Sequence, residues 1–233
     1  MRQKSDKSKY NENRCVDKGK DYKPWIKTNE AKSTATAAMI PIPDGRSVST
    51  LSGGERNFFY IMYFRDDVKE IEEQRALDMN IIGDICKDNG FKKPSRTITT
   101  DFLITFTDRH KVAYSLKYSR DILKETSGEY KLSSRAYQRL LERQVMEMEY
   151  WKRLDVGFKL VFGNELDKNY AENIQTVMRF WKLDDIDTTN AEDVLKYLVA
   201  HKLYPLDLEH KIVHFAAVAR EREKEIWEVF RNV

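Results

Sequence analysis

"TITTDFLITFTDRHKVAYSLKYS", residues 97–119, places two apolar stretches on either side of the polar turn Thr107-Asp108-Arg109-His110. The pattern predicts two adjacent strands joined by a tight turn. In the second strand Val112, Tyr114 and Leu116 share one parity, and Ala113, Ser115, Lys117 and Ser119 the other. A buried strand has no use for a lysine. Lys117 is either the wet face of an edge strand or an ammonium group held at a fixed place.

Working outward, the flanks supply helices and further strands. "SGGERNFFYIMYF", 52–64, is a helix candidate, with Glu55, Phe58, Phe59 and Met62 at i, i+3, i+4, i+7 and Ser52 available as a cap. "DVKEIEEQ", 67–74, reads as a strand on Val68 and Ile71. "LDMNIIGDICKDNG", 77–90, reads as a helix closed by Gly90. Downstream, residues 133–156 form an amphipathic helix whose stripe is Tyr137, Leu140, Leu141, Val145, Met148 and Trp151. "VGFKLVFG", 156–163, is another strand. Helix, strands, helix, strand is the order of an α/β core. After about residue 164 three helical segments follow and strand signals fade, which predicts a small helical domain.

The front of the chain differs. Residues 1–20 are polar, lysine-rich and without aliphatic periodicity, so disorder is expected there. "GKDYKPWI", 19–26, brings in Tyr22, Pro24 and Trp25, aromatics and a proline that need a surface. "TAAMIPIPDGRSVSTLS", 36–52, with Pro41, Pro43 and Asp44-Gly45, reads as an edge segment and turn. The expected organisation is a disordered basic arm at 1–20, a main domain at 21–164 and a helical domain at 165–233.

The chain has 233 residues, 41% of them hydrophobic, enough for one main domain and a small one. Its net charge of +3 hides an asymmetry. Residues 1–32 hold ten Lys/Arg against five Asp/Glu, and residues 164–233 hold ten against fourteen. A basic arm suits a polyanion, and an acidic end suits a protein partner better than DNA. Two distant cysteines, Cys15 and Cys86, give no disulfide framework and no Cys-x-x-Cys motif. No apolar run approaches the ~20 residues of a membrane span, and the first residues lack a secretory signal. A soluble protein of the bacterial cytoplasm is expected.

Two tempting motifs fail. "LSGGE", 51–55, resembles the signature loop of ABC-type ATPases, but the phosphate-cradling G-x-x-x-x-G-K-[ST] it needs is absent. His210 and His214 in "EHKIVH" have i, i+4 spacing, but the order is not H-E-x-x-H and no third ligand is signalled. A third set is richer. Asp101 opens an apolar strand, and Lys117 lies in the next with Ser115 on its face. A carboxylate on one strand and a lysine on its neighbour form the physical skeleton of a metal-dependent nuclease. The carboxylate holds a hard divalent cation and the carbonyl of Leu116 can add an oxygen. The lysine orients water and offsets phosphate charge. Glu55, on the preceding helix, is a second carboxylate. The competing reading is a surface ion pair between Asp101 and Lys117.

Several pieces in order, "GKDYKPWI", "ERNFFY", "DVKEIEEQ", "TTDFLI", "YSLKYS", "MEYWKR" and "GFKLVFGNELDKNYAENI", resemble the TnsA family, the endonuclease subunit of heteromeric transposases in bacterial cut-and-paste transposons. The resemblance covers roughly residues 18–180. It implies a restriction-endonuclease-like core, a mixed sheet flanked by helices, with a small winged-helix-like C-terminal domain. It implies Mg²⁺-dependent cleavage at the 5′ ends of a transposon, with Mn²⁺ as substitute. Carried over by position, Glu55 and Asp101 bind metal, Leu116 is a backbone ligand and Lys117 is catalytic. Ser115 departs from the Glu or Gln usual at its place and is a weaker ligand. Glu147 stands near a family acid, on what reads as a helix surface. The implied partners are transposon-end DNA, a DDE transposase subunit and an ATPase regulator that docks on the C-terminal domain. Lys18, Lys20, Lys23 and Trp25 are the expected DNA contacts, with Lys/Arg at 135, 139 and 143 as possible additions. The alternative is a catalytically inactive DNA-binding adaptor subunit that keeps the fold.

Overall fold

A computed structural model describes residues 4–31, 36–120 and 135–233. Residues 1–3 of the arm, and Ser133 and Ser134 at the front of the expected long helix, lie outside the described residues. The chain divides into two compact units, one of residues 1–56 with 65–165, the other of 57–64 with 166–233.

The first unit holds a four-stranded mixed sheet in the order β3-β4-β5-β6. β3 (Val68–Ala76), β4 (Thr99–Phe106) and β5 (Lys111–Lys117) run antiparallel, and β6 (Gly157–Phe162) lies parallel to β5. A parallel pair needs a long crossover. α4 (Arg135–Arg153) lies in that crossover. The β4–β5 turn is the one expected, and Arg109 takes a left-handed conformation in it (φ 74°). α3 (Met79–Asn89) starts on an Asp78 cap and stops at Gly90 in the left-handed region. Ile82, Ile85 and Cys86 of α3 and Met146, Tyr150 and Trp151 of α4 form one core with Leu103 and Ala113 of the sheet. Leu103 and Ala113 pair directly across β4 and β5.

The α4 stripe is rotated from the expected one. Leu141 and Met148 are exposed, whereas Tyr137, Met146, Glu147, Tyr150 and Trp151 are buried. A glutamate belongs to the inner face because Arg143, one turn back, neutralises it.

β1 (Ala38–Pro41) and β2 (Ser47–Thr50) make a separate antiparallel hairpin around Asp44-Gly45. The arm is not disordered over its described residues. α1 (Asp6–Asn11) forms on a Ser5 cap. Lys9 and Arg14 are buried, Arg14 through a two-pronged pair with Glu30 (2.6 and 2.9 Å) and a bond to the Trp25 carbonyl. Lys9 stands over the Trp25 ring. Composition misjudges the arm because Lys9 and Arg14 find partners beyond it, in Trp25 and Glu30.

The second unit is helical: α5 (Lys168–Met178), α6 (Ala191–Ala200), α7 (Phe215–Glu221) and α8 (Glu223–Phe230). Ile174, Val177, Leu195, Leu198 and Ile226 are fully buried in it. Residues 166–233 form no strand, so the wing of a winged helix has no counterpart there. The third expected helix is two, divided at Arg222, and residues 208–214 are irregular. His210 has a left-handed backbone (φ 63°) and contacts Asp167, while His214 precedes α7. The two histidines therefore share no helix face. Among the described residues, no helix is long and apolar enough to cross a membrane.

Candidate active site

α2 (Gly53–Tyr63) delivers Glu55 from its first turn. Ser52 Oγ accepts the Glu55 N–H (3.2 Å), and the Glu55 carboxylate accepts from Leu51 N–H (2.9 Å) and Ser52 Oγ (3.0 Å). This is close to a capping box. Gly54 packs on Gly163, the residue after β6. A Cβ on Gly163 would stand 3.3 Å from the Gly54 Cα. Gly163 N–H in turn donates to the Lys117 carbonyl at 2.8 Å. Gly54 of "LSGGE" therefore serves close approach, which brings the helix start to the strand end that carries Lys117.

The sheet opens at Asp101. Pairing of β3 with β4 passes from Glu73–Phe102 to Arg75–Thr100, skipping Gln74 and Asp101. Pairing of β4 with β5 stops at Phe102–Tyr114. Gln74 takes a left-handed backbone (φ 48°), unusual for a non-glycine residue. The free Leu116 N–H donates to Asp101 Oδ2 at 2.6 Å. The buried Gln74 amide donates to Glu55 Oε2 and to Asp101 Oδ1, each at 3.3 Å. One NH₂ group thus bridges two carboxylates from different elements.

Lys117 does not pair with Asp101. Its ammonium donates to Ser115 Oγ and to the Leu116 carbonyl, both at 3.1 Å. The surface ion pair that competed with the nuclease reading is absent from the hydrogen bonds and ion pairs of both residues. Ser115 is buried and serves as the anchor of the lysine. Behind Asp101, Glu147 is buried rather than on the surface, held by Arg143 (2.7 Å) and Thr100 Oγ1 (3.4 Å). Trp151 Nε1 donates to the same threonine hydroxyl at 2.8 Å. Arg143 faces inward and also donates to the Thr99 carbonyl. Its spacing with 135 and 139 suggests a DNA contact, whereas its guanidinium is engaged with Glu147 and the Thr99 carbonyl.

Trp25 is a further correction. It is 1% exposed and offers no face to DNA. Its N–H donates to the Gln74 carbonyl at 3.1 Å, while Tyr22 Oη donates to the Glu73 carbonyl at 2.8 Å and Arg75 donates to the Cys15 carbonyl. The N-terminal segment, with Tyr22 and Trp25 of "GKDYKPWI", therefore clamps β3 around Gln74. Lys18, Lys20 and Lys23 are exposed.

The electrostatics suit a cation between the carboxylates. Burial pushes the Glu55 carboxyl up to about 7, and the Asp101 charge pushes the same way, against the donors from Leu51, Ser52 and Gln74. Burial raises Glu147 too, with the Asp101 charge adding and the Arg143 charge opposing. Among the described residues no three Asp, Glu, His or Cys side chains form a metal cluster. The available donors are two carboxylates and neutral oxygens, a set that suits a hard ion such as Mg²⁺, which keeps several waters.

A pH effect follows. A carboxyl whose value rises on folding stabilises the fold fully below its ordinary value of 4.5, and that contribution is lost as pH rises through about 7. Ionising Glu55 in the metal-free protein then costs up to about 3 kcal/mol. Urea unfolding from pH 5 to pH 8 is expected to show falling stability, and Glu55→Gln to flatten that slope. An unchanged slope in the variant would place the proton elsewhere.

A family profile described as "TnsA-like endonuclease N terminal" matches residues 65–163, a span that contains Gln74, Asp101, Ser115, Leu116, Lys117 and Glu147 but not Glu55. The transposon Tn7 transposition protein TnsA of Escherichia coli is 26% identical over 165 residues, which cover 67% of this chain. Over residues 65–163 the chain resembles the N-terminal part of TnsA-like endonucleases. It spans 56% of the length of that relative. Sequence spacing marked Glu55, Asp101, Ser115, Leu116 and Lys117, and the fold brings all five together. It missed Gln74. No local pattern marks it: β3 keeps its register through Gln74, and the register shift of this strand pair lies between Val68 and Glu70.

Proposed function

We propose that this chain is a metal-dependent DNA endonuclease that cuts the 5′ ends of a transposon during excision, beside a DDE transposase subunit. The observation that carries the reading is the bridging of Glu55 and Asp101 by one amide, next to an ammonium with no carboxylate partner among the described residues. A divalent ion, Mg²⁺ or Mn²⁺, when bound supplies positive charge to a phosphodiester and acidity to a water. Asp101 and Glu55 would hold it, with the Leu116 carbonyl as a further oxygen. The chain's own groups do the rest. Lys117, fixed by Ser115 and Leu116, places a cation beside the charge that grows on phosphate oxygens and orients the attacking water. Leu116 N–H fixes the rotamer of Asp101. In-line hydrolysis leaves 3′-hydroxyl and 5′-phosphate ends.

Lys18, Lys20 and Lys23 are proposed to grip the DNA backbone without reading sequence, so affinity falls steeply with salt. The acidic helical unit suits a protein partner, by family likeness an ATPase regulator.

The test is a reconstituted excision reaction with transposon-end DNA and the transposase subunit, scoring 5′-strand nicks. The parent nicks in Mg²⁺ and stops on chelation, and Lys117→Ala does not nick. A parent that joins the complex without ever nicking would instead make it an adaptor.

A further inference from the structure

We propose that Gln74 is a ligand of the cation site, its side-chain amide supplying the oxygen that this chain lacks at Ser115. The inference rests on the endonuclease reading and deepens it.

Four observations converge on Gln74. Its side chain is 2% exposed and lies between Glu55 and Asp101, 3.3 Å from an oxygen of each. The two carboxylate oxygens therefore lie within twice that distance of each other, and the outer atom of the amide lies beside both, at a spacing that neighbouring oxygen ligands of one ion can share. The opposite end of the amide is also held: Thr99 Oγ1 donates to Gln74 Oε1 at 3.2 Å. Ser115, the expected ligand, is spent on anchoring Lys117. Finally, the backbone is built to present this side chain. Gln74 has a left-handed φ, the ladder skips it, and the N-terminal segment grips its carbonyl through Trp25 N–H.

An amide is a two-ended group. Without a cation, its NH₂ satisfies two carboxylates that would otherwise repel. A half-turn of the terminal torsion, which is broad and two-fold, presents the oxygen instead. The half-turn keeps the bond to Thr99, because a hydroxyl that donates to an amide oxygen can rotate and accept from an amide N–H. The same side chain therefore fills the site before the ion arrives and ligates it afterwards. An amide oxygen is a neutral hard donor, of the kind that oxygen-binding divalent ions accept.

The test uses the full chain and three variants: Gln74→Ala, Gln74→Glu and, as control, Lys92→Ala at an exposed residue. Mn²⁺ affinity is measured by calorimetric titration. Bound waters are counted from Eu³⁺ luminescence lifetimes in H₂O and D₂O. Urea unfolding checks that each variant folds. Expected are about ten-fold weaker Mn²⁺ binding in Gln74→Ala, with one more water on Eu³⁺. Gln74→Glu, which offers an oxygen without a turn, binds at least as tightly as the parent and keeps its water count. Should Gln74→Ala not fold, Gln74→Glu decides alone: weaker binding in it overturns the proposal. A Gln74→Ala chain that folds and binds with parental affinity and water count overturns it too, leaving Gln74 a hydrogen-bond bridge. Parent and Gln74→Ala differing as stated supports it. A parent that takes up no Mn²⁺ at millimolar concentration removes the endonuclease reading itself, and this inference with it.

Discussion

Asp101→Asn is expected to fold as the parent does and to lose nicking on the order of 10³-fold. The substitution keeps the shape of the side chain and an oxygen to accept the Leu116 N–H at 2.6 Å, so the strand end stays in place. What it removes is the second negative charge of the site. Two consequences follow in opposite directions. The cation loses one of its two carboxylates, and so its grip. The Glu55 carboxyl, freed from the Asp101 charge, titrates lower than its raised value of about 7, so the metal-free fold is relieved and stability near neutral pH holds or improves. A residue that matters only for the fold would show the reverse: lost stability and, per folded molecule, unchanged nicking. Urea unfolding and the excision reaction, run on one preparation, separate the two.

Trp25→Ala is expected to cost about 3–5 kcal/mol of stability, the range for a buried tryptophan truncated to alanine. That is a large share of the ~5–15 kcal/mol that holds a typical domain. The ring is 1% exposed, packed edge-on to Tyr10 and beneath the Lys9 ammonium. Its loss would leave a buried cation short of a partner and loosen the segment that holds the Gln74 carbonyl. The variant should therefore unfold at lower urea, while DNA affinity of the folded fraction, measured at matched salt, stays close to the parent value. A variant as stable as the parent but weaker on DNA would restore Trp25 to the DNA surface, where the sequence alone puts it.

Much of the fold was readable because its elements follow local rules. Gly90 ends α3, Asp44-Gly45 turns the first hairpin, and the apolar runs around Asp108 make β4 and β5. The ligand-bearing residues were readable for a related reason. Strand parity and a short turn bring Asp101 and Lys117 to one end of the sheet whatever the rest of the chain does. What escaped depends on distant partners. Lys9 and Arg14 look solvated until Trp25 and Glu30 arrive, and Glu147 looks like surface until Arg143 and Thr100 surround it. Gln74 escaped because its role arises from Glu55 on α2 and Asp101 on β4, partners that a reading of β3 alone does not contain.

The central claim is that Glu55 and Asp101 share one cation. Crystals soaked in Mn²⁺ and measured for anomalous scattering address it most directly. A single peak between Glu55 Oε2 and Asp101 Oδ1, lost in Asp101→Asn, is the result expected here. No peak at millimolar Mn²⁺, or carboxylates more than ~8 Å apart and so beyond the reach of one ion, would contradict it.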